Sequence, residues 1–146
     1  MSEDETFVRA FKSRFTNILR WDQLDAFWET LRDRADQGWY IYAVGERPPE
    51  APADATDLGR FIDEVDALLR REHQERYCGI VYVDEPIEPG FIKIYDPSNL
   101  GSVCGSSGAP PLPGWILSRL RPVDLQVALP PPNNRRRWWR SFFRKD

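Results

Sequence analysis

Proline placement limits how this chain can fold. Eleven of its 13 prolines fall in four clusters, at Pro48–Pro52, Pro86–Pro89, Pro110–Pro113 and Pro130–Pro132. Proline has no amide hydrogen and a fixed φ, so neither a helix interior nor a central strand runs through these clusters. They mark the joints, and the elements must lie between them.

The first piece opens with Ser2 and Glu5, three apart as in a capping box. Phe7, Ala10, Phe11, Phe15, Ile18 and Leu19 follow at helical spacing, which predicts a helix over about Glu3–Leu19. A second stripe, Trp21, Leu24, Phe27, Trp28 and Leu31, predicts a helix from Trp21 or Asp22 to just before Gly38, a candidate C′ glycine. The two are expected to pair as a helical hairpin over 3–37 around Phe11, Phe15, Phe27 and Trp28. Trp39–Val44 is β-rich and apolar throughout, as for a strand covered on both faces. Asp54 or Thr56 opens a third helix to about Glu72, with Leu58, Phe61, Ile62, Val65, Leu68 and Leu69 on one face.

Tyr77–Val83 and Phe91–Tyr95 read as strands joined by DEPIEPG, hence an antiparallel hairpin with a loose loop. Strand, helix and strand over 39–83 permit a parallel right-handed crossover. Trp115–Leu120 returns to apolar character, and Leu125–Leu129 reads as a last short strand. The expected class is α+β, with a small mixed sheet of three to four strands and about three helices packed on it. A single domain spans 1–129: hairpin 3–37, sheet and helix 39–95, Gly/Pro loop 96–114 and closing segment 115–129. A flexible basic tail, 130–146, follows.

The 96–114 loop is the first candidate site. Asp96, Ser98 and Asn99 are turn formers, and Gly101, Gly105 and Gly108 allow positive φ, so amides there can converge on an anion, with Ser106 and Ser107 beside them. Cys104 lies among them. A thiol beside convergent amides has a lowered pKa, and His73, the one histidine, is a candidate base for a Cys/His pair. The plainer reading is a small apolar residue in a turn. No Gly-Lys-Ser/Thr follows, so this is not a P-loop. Ala109–Trp115 reads as a polyproline II segment, packed on the fold rather than offered as a ligand.

Metal chemistry finds little support. His73, Cys78, Cys104 and Asp96 match no common ligand spacing, so no metal and no cofactor is expected. Two cysteines make no disulfide framework, and Cys78 sits in an apolar run as for a core residue. The pairs Asp63/Asp66, Asp84/Glu85 and Glu88/Asp96 are what 23 acids produce by chance.

Charge marks the second site. Six basic residues and one acid fall in 133–146, so the tail is near +5 and the remainder near −8. Arg136, Arg137 and Arg140 interleave with Trp138, Trp139, Phe142 and Phe143. Such a block suits the chain's own acidic face, an acidic groove on another protein or an anionic membrane surface. Nucleic acid fits less well, because the acidic body repels phosphate. MSEDETF has no apolar core of a signal peptide and no apolar run is long enough to span a bilayer, so a cytoplasmic setting is expected. With no complete catalytic constellation, the expected role is a small accessory or adaptor protein working by protein–protein interaction. The alternative is a Cys104-dependent enzyme or thiol-redox protein assisted by His73.

Overall fold

A computed structural model describes residues 3–13, 15, 17–74, 78–97 and 112–125. In chain order the elements are α1 (Glu3–Lys12), β1 (Asn17–Ile18), α2 (Trp21–Asp33), β2 (Tyr40–Ala43), α3 (Ala55–Glu72), β3 (Val81–Val83), β4 (Phe91–Ile94) and β5 (Trp115–Ser118). The class is α+β. The sheet has five strands in the order β1-β3-β4-β5-β2, and every neighbouring pair is antiparallel.

The helix starts follow local chemistry. Asp54 caps α3 by accepting from the Asp57 amide at 2.7 Å, and Leu58, Ile62, Val65 and Leu69 form its buried stripe. Each such side chain contributes roughly 1.5–3 kcal/mol on leaving water. At α2 the cap is Arg20: the Gln23 side chain accepts from the Arg20 amide at 2.9 Å. Gly38 has φ +85°, the left-handed turn that brings the chain from α2 into β2.

Strand alternation divides the interior in two. On one face, Val81, Val83, Ile92, Ile94 and Leu117 pack against Leu24, Phe27, Trp28 and Leu31 of α2 and the stripe of α3. On the other, Phe91, Ile116 and Tyr42 meet Phe7 and Phe11 of α1 and Leu125. The result is a three-layer arrangement: α1, the sheet, then α2 with α3.

Three expectations need correction. The sheet is not mixed and has more than three to four strands. β2 and β3 form no parallel crossover, because β5 pairs with both β2 and β4 and, with β4, fills the space between them. The helical hairpin over 3–37 does not form. Helix α1 stops at Lys12, where Ser13 Oγ donates to the Ala10 carbonyl at 2.7 Å. The last members of the expected stripe, Ile18 and Leu19, pair with β3 instead, and the Leu19 amide donates to Val81 O at 3.1 Å. Phe11 and Phe15 therefore lie on the opposite face of the sheet from Phe27 and Trp28. The expected strand at 125–129 falls outside the described residues beyond Leu125.

The β3–β4 turn is tied rather than loose. Asp84 Oδ1 accepts from the amides of Glu85 and Gly90 at 2.8 and 3.0 Å, and Glu85 Oε1 accepts from Ile87 at 3.0 Å. Between α2 and α3, Asp66 accepts from Trp28 Nε1 and pairs with Arg70, which also reaches Asp25. The acidic pairs noted in the sequence thus act largely as turn and helix ties.

Candidate functional site

The stems of the 96–114 loop are well held. The Gly114 amide donates to Ile94 O at 2.9 Å, and its carbonyl accepts from Val44 at 2.9 Å. A Cβ on Gly114 would lie 3.0 Å from Asp96 Cβ, a contact tight enough that Asp96 must give by a few tenths of an ångström to admit a side chain. Gly114→Val is expected to cost about 1–3 kcal/mol. Urea unfolding together with faster hydrogen exchange at the Val44 amide checks this.

Those stems leave from the end of the sheet where β3 begins. Val81 pairs with Ile94, and Tyr95 donates to Ile80 O at 2.9 Å. His73 belongs to the same end. It caps α3, its Nε2–H donates to the Cys78 carbonyl at 2.8 Å, and its ring centre is 6.2 Å from that of Trp21. The imidazole is thereby committed through one nitrogen to the backbone. Cys78 is buried in the core, and burial pushes its thiol up, as for an inert cysteine. Below about pH 9, Cys78 should therefore alkylate far more slowly in the native than in the unfolded chain, as site-resolved mass spectrometry would show.

Of the residues singled out in the loop, only Asp96 is described. Cys104, Ser98, Asn99, Gly101, Gly105, Ser106 and Ser107 lie outside the described residues. So do Arg136, Arg137, Trp138, Trp139, Arg140, Phe142 and Phe143 of the tail. Among the described residues no three His, Cys, Asp or Glu side chains gather as metal ligands. No helix among them is long and apolar enough to cross a membrane.

Two features stand out that spacing did not flag. The first is Lys93, in the middle strand of the sheet. Its Nζ lies 4.5 Å from the centre of the Phe11 ring and 4.0 Å from that of Phe15. It makes no ion pair among the described residues. Loss of water around the amine lowers its pKa to about 8, while the two phenyl faces oppose this by favouring the cation. The signal was present in Phe91-Ile92-Lys93-Ile94: alternation points Phe91 and Lys93 to the same face.

The second is a groove at the β1 edge. Asn17, Ile18, Leu19, Gln23, Ala26, Phe27, Thr30 and Pro86 enclose about 240 Å³. Ile18 is 47% exposed there, and Ile87, beside Pro86, is 74% exposed. These are large apolar side chains facing water next to an edge strand of two residues, whose outer backbone groups pair with no strand among the described residues. Asn17 Nδ2 donates to the Asp84 carbonyl at 3.1 Å and holds the strand against the turn. An apolar cleft beside an open edge is a surface that accepts an extended or helical polypeptide. Helical spacing places Ile18 on the stripe of the expected first helix and gives no signal for Ile87; the exposure of Ile18 at an edge depends on pairing with a strand over sixty residues away. Comparison with family models, with curated proteins and with solved structures found no match for this chain.

Proposed function

We propose that this chain is a small accessory protein that acts by binding another polypeptide, and that the β1 groove is its principal contact surface. The observation that carries this is the groove itself: exposed Ile18 and Ile87 flank an apolar cleft at an unpaired strand edge. Of the titratable side chains nearby, Asp84 and Glu85 tie the β3–β4 turn and Asp22 pairs with Arg20. A cytoplasmic setting belongs to the same proposal and is supported by Cys78, a free thiol. The loop at 96–114 and the tail are further candidate contact surfaces.

The test is affinity isolation of the full chain beside its Ile18→Asp and Ala26→Lys variants. A stoichiometric partner is expected to bind the parent and to lose at least about tenfold in affinity with either variant, some 1.4 kcal/mol. Recovery of no such partner, or one indifferent to both variants, would sink the proposal.

A second reading, a Cys104-dependent enzyme or thiol-redox protein, draws on one observation: the stems of the Cys104 loop and His73 share one end of the sheet. Alkylation across pH decides it. A Cys104 midpoint well below 8 supports chemistry, and an ordinary midpoint removes it.

A further inference from the structure

The β1 groove has a chemistry that narrows what fills it. Its floor is apolar, from Ile18, Leu19, Phe27 and Pro86. Its borders are acidic. Asp22, Glu29 and Asp33 run along the exposed side of α2 next to the lining residues Ala26 and Thr30, three or four positions apart as neighbours on a helix. Asp84, Glu85 and Glu88 are exposed in the turn that carries Pro86. Glu29, Asp33 and Glu88 make no ion pair among the described residues. The nearby arginines are already engaged: Arg20 with Asp22, Arg32 with Asp63, and Arg70 with Asp25 and Asp66. A ligand suited to this surface carries rings for the floor and cations for both borders.

One segment of the chain has that composition. Residues 133–146 hold Trp138, Trp139, Phe142 and Phe143 among five arginines and Lys145. We propose that this C-terminal segment, through its rings and arginines, is the polypeptide that docks in the β1 groove of its own molecule. The proposal rests on the groove being a polypeptide site.

Chain length permits it. Leu125 donates to Tyr42 Oη at 3.1 Å on the α1 face of the sheet, and Tyr42 belongs to the edge strand β2. β1 is the other edge, four strand spacings away, or about 19 Å. Residues 126–132 include Pro130–Pro132 and reach about 22 Å when extended. Residue 133 can therefore stand at the β1 edge, with four further residues before Trp138 to round it. Tethering also relaxes the affinity required. At an effective concentration of about 1 mM, a segment with a Kd near 100 μM fills its groove roughly nine-tenths of the time. Docking of this kind weakens with salt, because the arginine–carboxylate attraction across exposed borders is screened.

The experiment places the photoreactive residue p-benzoylphenylalanine at Ile87, exposed beside the lining residue Pro86, in the full chain. The dilute protein is irradiated at low ionic strength and the adducts are mapped by mass spectrometry. The expected adduct has monomer mass and joins position 87 to residues 133–146. Its yield should fall at least about fivefold in high salt and in the Ala26→Lys variant, whose fold is confirmed by an unchanged thermal melt. Adducts only elsewhere in the chain, or to 133–146 only at dimer mass, overturn docking within one molecule. Adding the free 133–146 peptide at about 1 mM separates the two ideas. Peptide adducts without internal ones leave the polypeptide-binding reading standing and remove the tail's occupancy. Neither kind of adduct overturns both.

Discussion

Replacing Phe7 with alanine is expected to lower stability by about 3–5 kcal/mol, the range for removing a fully buried aromatic ring. Phe7 is wholly inaccessible, and its ring centre lies 5.3 Å from that of Phe91 and 6.4 Å from that of Tyr42. The cluster it anchors is the smaller of the two and draws on α1 alone among the helices. With few neighbours able to close the space, the cavity term should be large. Domains of this size are stable by about 5–15 kcal/mol in all, so the variant should unfold at markedly lower urea. A loss below about 1 kcal/mol would mean that α1 does not cover this face.

Milder substitutions locate α1 directly. Phe7→Leu and Phe91→Leu touch the same contact and should couple in a double-mutant cycle by about 0.5 kcal/mol or more. Phe7→Leu and Phe27→Leu lie on opposite faces of the sheet and should add within about 0.3–0.5 kcal/mol. A helical hairpin over 3–37 would give the reverse pattern.

That contrast shows where sequence reading stops. Helix α3 was legible because all its determinants are local: Asp54 caps it, and Leu58 to Leu69 repeat on one stripe. Phe15, Ile18 and Leu19 repeat at the same spacing, yet Ile18 and Leu19 pair with β3. Helical spacing states that residues share a face if a helix forms. It cannot weigh that helix against a strand partner over sixty residues on. The sheet order has the same root. Trp39–Val44 read correctly as a strand covered on both sides, with Ile41 and Tyr42 in different clusters. Its partner, β5, comes after the 96–114 loop, so the local β–α–β order suggested a crossover that the distant strand displaced.

The candidate site divides in the same way. Cys78 was read as core from its apolar surroundings, and it is core. His73 is a candidate base for Cys104, which lies outside the described residues; its Nε2 donates to the Cys78 carbonyl, an acceptor that composition does not reveal. The groove joins β1, α2 and the β3–β4 turn, three segments with no common motif. The pairing of Asn17 with Val83 and of Ile18 with Tyr82, over sixty residues apart, brings β1 to the turn.

Lys93 should make the folded protein more stable as pH rises from about 8 toward 10. Its amine titrates near 8 when folded and near 10.4 when unfolded. Below 8 both states hold the proton, and the cost of a poorly hydrated ammonium is fully present. Between 8 and 10 the unfolded chain binds the proton and the folded one does not, so stability climbs with pH. The full difference would approach 3 kcal/mol. The amine is half-buried and faces two rings that favour its charged form, so about 1–2 kcal/mol is expected. The rise should end near 10, where the phenols of Tyr42 and Tyr95, both pushed up by burial, make stability fall as the unfolded chain ionises first. Lys93→Met keeps the stem and removes the charge. It should be about 1–2 kcal/mol more stable than the parent at pH 7 and flat from 8 to 10. Lys93→Glu sets a carboxylate against the negative faces of Phe11 and Phe15 and should cost roughly 2–4 kcal/mol. Urea midpoints for all three proteins at several pH values provide the check. A parent curve that is flat or falling between 8 and 9.5, with a Met variant no more stable at pH 7, would place the amine in water rather than between the rings. The same residue would then no longer tie α1 and the following segment to the middle of the sheet.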